Sequence, residues 1–251
     1  MAPRYISQEV LDIRESDILD HASQIIQDKC ISDLTMDKLV GQVNYSKGTV
    51  YNHFSSKEDV FVALCNRHMH TLIELMEAAK NIDTSPRYKM LSISFAYMLS
   101  VLLNPDSFFL MMSTTTDNFE KASSERTSEH AKLSDVLRGI CGSIVQEAVD
   151  KNELTVATGY TIEDISISFY AMSFGSIGLF LKKNSLNCTQ GCVFLEDKMV
   201  FHTNTVMDGF NWKKPDQNQE EFLELIKQTV YVKELKILQE RGINLSNLEM
   251  M

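Results

Sequence analysis

Between Thr35 and Asp59 the sequence places three helix-start signals in close succession, and no other stretch restricts the fold as much. Thr35 can cap a helix over Met36–Val43, with Asp37 in the first turn where the helix dipole favours an acid. Asn44-Tyr45 reads as a turn, Asn being one of the few non-glycine residues that tolerate left-handed dihedrals. Ser46 can cap Lys47–His53. Ser56-Lys-Glu-Asp59 then has the form of a capping box that opens a long helix to about Lys80. Two very short helices joined by a tight turn therefore sit between two longer ones.

The helix before them is expected from about Ile13 to Lys29, where Ile18, Leu19, Ala22, Ile25 and Ile26 form one apolar stripe of helical period. Only 4 Pro and 10 Gly occur in 251 residues, which disfavours a β-sandwich with its frequent turns and excludes linker-like or collagen-like chains. The rest of the pattern is helical as well. Further helices are expected over Arg87–Asn104, about Ala131–Lys151, Thr161–Lys183 and Gln217–Arg241, the last with Gly242 just past its end. Asp106–Met112 is a short apolar piece. Ser113–Glu129 is polar enough to read as a loop, and Asn184–Trp212 reads as a long loop with at most a short hairpin. The fold class is all-α. A three-helix helix-turn-helix domain over residues 1–60, with the fourth helix leading out of it, precedes a larger helical domain over 61–251.

Net charge is −10, which taken alone argues against a chain that coats nucleic acid. The local balance is different, since Thr35–Lys57 carries three Lys against one Asp. Five scattered cysteines in a chain of this size read as reduced thiols rather than a disulfide frame. The N-terminus has no apolar run of the signal-peptide kind, and a cytoplasmic location is expected. Ile165–Leu181 carries no formal charge but holds four serines, so it reads as a buried helix and not a membrane span.

The second short helix carries residue types that suit a major groove. Gly48 permits close approach to the backbone, and Ser46 with the first helical N–H groups favours a phosphate. Thr49, Tyr51, Asn52 and His53 supply donors, acceptors and a methyl group, and Lys47 and Lys57 supply charge at both ends. The runs Ile18-Leu-Asp-His-Ala22, Leu34-Thr-Met-Asp-Lys-Leu39, Ser46-Lys-Gly-Thr-Val-Tyr-Asn-His-Phe54 and Ser56-Lys-Glu-Asp59 together resemble the N-terminal domain of the tetracycline-repressor (TetR) family. The resemblance spans about residues 13–64. It departs from the family pattern at Cys30, where a glycine is usual, and at the turn Val43-Asn44-Tyr45.

The resemblance implies a homodimer that binds double-stranded operator DNA through Thr35, Ser46, Lys47, Gly48, Thr49, Tyr51, Asn52, His53 and Lys57, with Phe54 in the core. It also implies a four-helix dimer interface from the last two helices and an effector pocket in the C-terminal domain. Helices 161–183 and 217–241 are the interface expected, with Phe222, Leu223, Ile226, Val230 and Ile237 supplying apolar area. Phe95, Met98, Phe109, Phe169 and Met172 are the expected wall of a pocket for a hydrophobic effector, with Ser92, Ser94, Tyr97, Ser100, Ser168, Tyr170 or Ser173 as its polar groups. No cofactor, metal or membrane partner is expected. Cys65, His68 and His70 do not share one helix face. A thiol redox or metal switch at Cys188 and Cys192 is the alternative mode of regulation. None of the common catalytic motifs is present, and an enzyme is not expected.

Overall fold

In the computed structural model, residues 7–28, 31–113, 115–182, 195–243 and 245 are described, and among them there are twelve α-helices, a 3-10 turn at Ile31–Asp33 and no strand. The helices are α1 (Gln8–Asp28), α2 (Met36–Gln42), α3 (Lys47–His53), α4 (Lys57–Lys80), α5 (Pro86–Leu103), α6 (Pro105–Ser113), α7 (Thr116–Lys121), α8 (Ser124–Asp150), α9 (Ile162–Lys182), α10 (Leu195–Gly209), α11 (Gln219–Thr229) and α12 (Val232–Glu240). They form two compact units. Where the sequence suggests a boundary near residue 60, the first unit runs to Met69 and also takes in Asn104–Leu133; the second holds His70–Leu103 and the chain from Ser134.

The first unit is built on the stripe seen in the sequence. Ile18, Leu19, Ala22, Ile25 and Ile26 of α1 share a core with Leu39 of α2, Val50 of α3, Phe54, and Val60, Phe61 and Leu64 of α4. Leu110 of α6 joins the same core, which the sequence did not lead one to expect. The turn between α2 and α3 avoids the left-handed region: Val43 leaves α2 in an extended conformation (φ −90°, ψ 152°), and among described non-glycine residues only Asn152 and Asn211 have positive φ. The segment expected as a loop after Ser113 is largely helical. Asn118 accepts the Thr115 N–H at 2.8 Å to start α7, and α8 begins at Ser124.

The second unit is organised around α5, which is buried at every residue except Lys89 and packs on α9, α10, α11 and α12. Arg87 ties its start to the end of α10, donating to the Trp212 carbonyl at 2.6 Å, Asn204 at 2.9 Å and Asp208 at 2.6 Å. The helix α10 corrects the expectation of a loop to Trp212. Leu195, Met199, Thr203 and Met207 recur every fourth residue and are all buried, a sparse stripe masked by the polar residues between. The expected final helix is two helices. Its path breaks at Tyr231, whose ring is fully buried beside Phe95 (centroids 5.5 Å apart) while its hydroxyl reaches the carbonyls of Leu75 and Ser92 at 3.4 and 3.3 Å. Gly242, at φ +78°, ends α12 as the sequence indicates.

Candidate nucleic-acid interface and effector region

Two caps set the short helices. The Thr35 hydroxyl accepts the Lys38 N–H at 3.2 Å and starts α2, and the Ser46 hydroxyl accepts the Thr49 N–H at 3.1 Å and starts α3. Val50 and Phe54, both fully buried, fix which face of α3 turns inward. Lys47, Gly48, Tyr51 and Asn52, at i, i+1, i+4 and i+5, are left on the exposed face. Lys47 pairs with Asp37 at 3.0 Å, and its ammonium lies 5.5 Å from the Tyr51 ring centre. The Asp37 carboxylate raises the Lys47 pKa above its ordinary value. A side chain built at Gly48 would meet only the Ser46 hydroxyl, at an ordinary 3.8 Å, so packing does not require glycine there. An exposed helical Gly costs ~1 kcal/mol relative to Ala; what it provides at this position is backbone open to the outside.

Lys57 is exposed in the first turn of α4. Thr49 is half-buried, its hydroxyl 2.9 Å from that of Ser46. His53 differs from the other candidates: its ring is 7% exposed and lies 3.8 Å from the Glu15 carboxylate, turned into the domain. The start of α4 is fixed by Asp59, which is buried. Asp59 accepts from the Ser55 N–H at 2.8 Å and the Ser123 N–H at 2.6 Å, and its own N–H donates to Ser56 at 3.1 Å. Burial pushes its carboxyl pKa up, but the hydrogen bonds from Ser55 and Ser123 outweigh this and hold it below the ordinary value.

The contacts at Glu15, Ser123 and Arg126 were not legible in the sequence. Arg126 donates to Glu15 at 2.6 Å, and its guanidinium stacks 5.3 Å from the Phe54 ring centre. No local pattern announces such a contact, because its members lie more than a hundred residues apart in the chain.

In the second unit, Phe95, Met98 and Phe169 are buried and Met172 is half-buried, with Phe169 edge-on to Trp212 at 6.0 Å. Phe109 belongs to the first unit and is 44% exposed, beside Phe108. Of the expected polar groups, Ser94 and Ser100 bond back to α5 carbonyls. The hydroxyls of Ser92 and Tyr97 and the indole N–H of Trp212 are buried without a partner among the described residues.

The helix α9 buries one face only. Ile165, Phe169, Ser173 and Ile177 are covered, while Ile167, Tyr170 and Leu179 are exposed, as is Phe201 of the adjacent α10. Ile162–Leu181 is long and apolar enough to cross a membrane by length and composition, with 28% of it buried. On α11, by contrast, Phe222, Leu223 and Ile226 are buried within the unit, so they are not the free apolar face expected of them.

Cys65 and His68 are buried and His70 is exposed, and no group of three or more potential metal ligands occurs among the described residues. Cys188 and Cys192 lie outside the described residues.

Residues 18–64 match the family model for bacterial regulatory proteins of the tetR family. The HTH-type transcriptional activator FasR of Mycolicibacterium smegmatis is 29% identical over 79 residues, which are 32% of this chain and 36% of FasR, so the match spans about a third of that relative's length. A tetR-family regulatory protein from Rhodococcus RHA1 superposes with a TM-score of 0.60 at 15% identity, over 80% of this chain and 98% of that one. The regulator FadR from Bacillus subtilis, solved with stearoyl-CoA, gives 0.57 at 15% identity, over 77% and 95%. Residues 18–64 thus carry the helix-turn-helix sequence of the tetR family of bacterial regulatory proteins, and the helical fold through most of the chain is similar to that of solved structures of that family.

Proposed function

We propose that the chain is a homodimeric transcriptional repressor that leaves a palindromic operator when a lipophilic small molecule binds its C-terminal helical region. The observation that carries the DNA reading is the outward face of α3, where Lys47, Gly48, Tyr51 and Asn52 are exposed on a helix held from behind by Val50 and Phe54. In this reading that face meets base edges and backbone in the major groove, with Thr49 beside it. Thr35, Ser46 and Lys57 flank it at helix starts, where they meet phosphates. His53, turned towards Glu15, contributes through the position it gives the helix end.

The dimer uses the exposed apolar face of α9 together with α10, where Ile167, Tyr170, Leu179 and Phe201 would be covered by a second copy. Two recognition helices then read half-sites about one helical turn, ~34 Å, apart. For the effector, Phe95, Met98, Phe169 and Met172 provide apolar walls, and the unpaired Ser92, Tyr97 and Trp212 groups provide orienting hydrogen bonds. The stearoyl-CoA in the FadR structure supports a lipophilic class. Such an effector acts by preferring a state of the dimer whose half-site spacing does not fit the operator.

A gel-shift with the DNA upstream of the chain's own gene tests the reading. A specific shifted band, lost on adding the effector, is the expected result. A reporter fused to that DNA separates repression from activation, the activity that FasR's name carries.

A further inference from the structure

The last residue of α3 and the residue that caps it are held from outside the matched helix-turn-helix segment. Phe54, the C-cap of α3, has its N–H on the Val50 carbonyl and its ring fully buried. The Arg126 guanidinium lies over that ring at 5.3 Å and donates to Glu15 at 2.6 Å. The same Glu15 oxygen sits 3.8 Å from the His53 ring. Arg126 is itself fixed in the first turn of α8. Its carbonyl accepts the Asn66 side-chain N–H at 3.1 Å, and Asn66 also donates to Glu129 at 3.0 Å and meets the His130 ring at 2.9 Å. One helical turn upstream of this group, the Ser123 N–H donates to Asp59 at 2.6 Å. The start of α8 is thus pinned to α4 at Asp59 and Asn66, and through Arg126 to α1 and to the exit of α3.

We infer that Arg126 is a positioning residue for operator binding, setting the pose of the recognition helix through Glu15 and the Phe54 ring. It does not contact DNA itself. Its guanidinium is committed to Glu15 and Phe54, with Glu129 a further 3.8 Å away, and its side chain is 18% exposed. A charged pair bridging three helices fixes orientation more narrowly than apolar contact alone, because the guanidinium fork and the carboxylate have defined geometry. A shift at the start of α8 would therefore reach α3 through one ion pair and one stacked ring.

This inference rests on the DNA-binding reading, and its test separates the two. Arg126→Met keeps the apolar stem over Phe54 and removes the charge; Glu15→Gln removes the partner. Each is expected to weaken operator binding about tenfold while leaving the salt dependence at the wild-type slope, since no phosphate contact is lost. The double variant is expected to lose no more than either single one. Arg126→Lys should bind within about threefold of wild type. In the DNA-free protein, Arg126→Met should speed amide exchange within residues 47–54 while leaving α4 as in wild type. Wild-type affinity in Arg126→Met, additive losses, a slope lower by one unit, a Lys variant as weak as the Met variant, or unchanged exchange at 47–54 would each overturn the inference. Failure of the wild-type chain to bind any duplex would instead refute the DNA reading, and the exchange experiment would still decide whether Arg126 holds α3.

Discussion

Lys57 and His68 lie on the same helix and give opposite lessons about side-chain chemistry. Lys57, exposed at the first turn of α4, is the simplest phosphate contact to remove. Lys57→Ala should weaken binding to all duplexes alike and reduce the salt slope by about one unit, read from affinities across a salt series. Unchanged affinity and slope would remove Lys57 from the interface. His68 is buried with neither ring nitrogen hydrogen-bonded among the described residues, and burial lowers its pKa from 6.5 to about 4. Folding therefore favours the neutral ring: its stability is intact above about pH 6.5 and is lost as the pH falls from there towards 4. The loss over that window is about 3 kcal/mol at 1.36 kcal/mol per pKa unit. His68→Leu should remove that part of the acid sensitivity, measured by urea unfolding at pH 7 and pH 4.5. Equal pH dependence in the two proteins would contradict it.

Among the elements, α9 and α11, expected together at the dimer interface, differ in whether their apolar face is free. The uncharged α9 reads as a buried helix, yet it leaves Ile167, Tyr170 and Leu179 exposed; the strongly amphipathic α11 directs Phe222, Leu223 and Ile226 into its own unit. The sequence shows that both are apolar on one side but not which side meets the protomer's own core, since a stripe that packs within a chain and one that packs between copies have the same periodicity. Leu179→Glu should therefore leave the melting temperature of the protomer nearly unchanged and yield monomers in sedimentation, with operator affinity down about a hundredfold as paired half-site binding is lost. Phe222→Ala should instead cost about 3–5 kcal/mol of stability through the cavity it leaves. Intact dimers for Leu179→Glu would move the interface elsewhere.

For the whole molecule, the effector is the open chemical question. The second unit combines an almost wholly buried α5 with three buried polar groups that lack partners, Ser92, Tyr97 and Trp212. An unsatisfied buried donor costs roughly 1–3 kcal/mol, which a ligand acceptor can recover. A lipophilic, uncharged or singly charged compound at a hundred times its Kd should stabilise the protein by about 2.7 kcal/mol, a rise of roughly 5–10 °C in a chain of this length. Thermal-shift screening reads this directly. Stabilisation by sugar phosphates or divalent metals, and by no lipophilic compound, would sink the assignment.

The sequence by itself determined the all-helical class and the caps at Thr35 and Ser46. It also marked Tyr51 and Asn52 for the outward face of α3, because caps and short-range periodicity act over a few residues. The helix α10, the start of α8 and the break at Tyr231 were not legible. Each depends on which distant partner covers a residue: Arg87 at the end of α10, Asp59 and Asn66 at the start of α8, Leu75 and Ser92 around Tyr231. The same holds for His53, whose type suits a phosphate but whose ring faces Glu15. Residue type fixes what a side chain can bond to, and only tertiary packing decides which of those partners comes within reach.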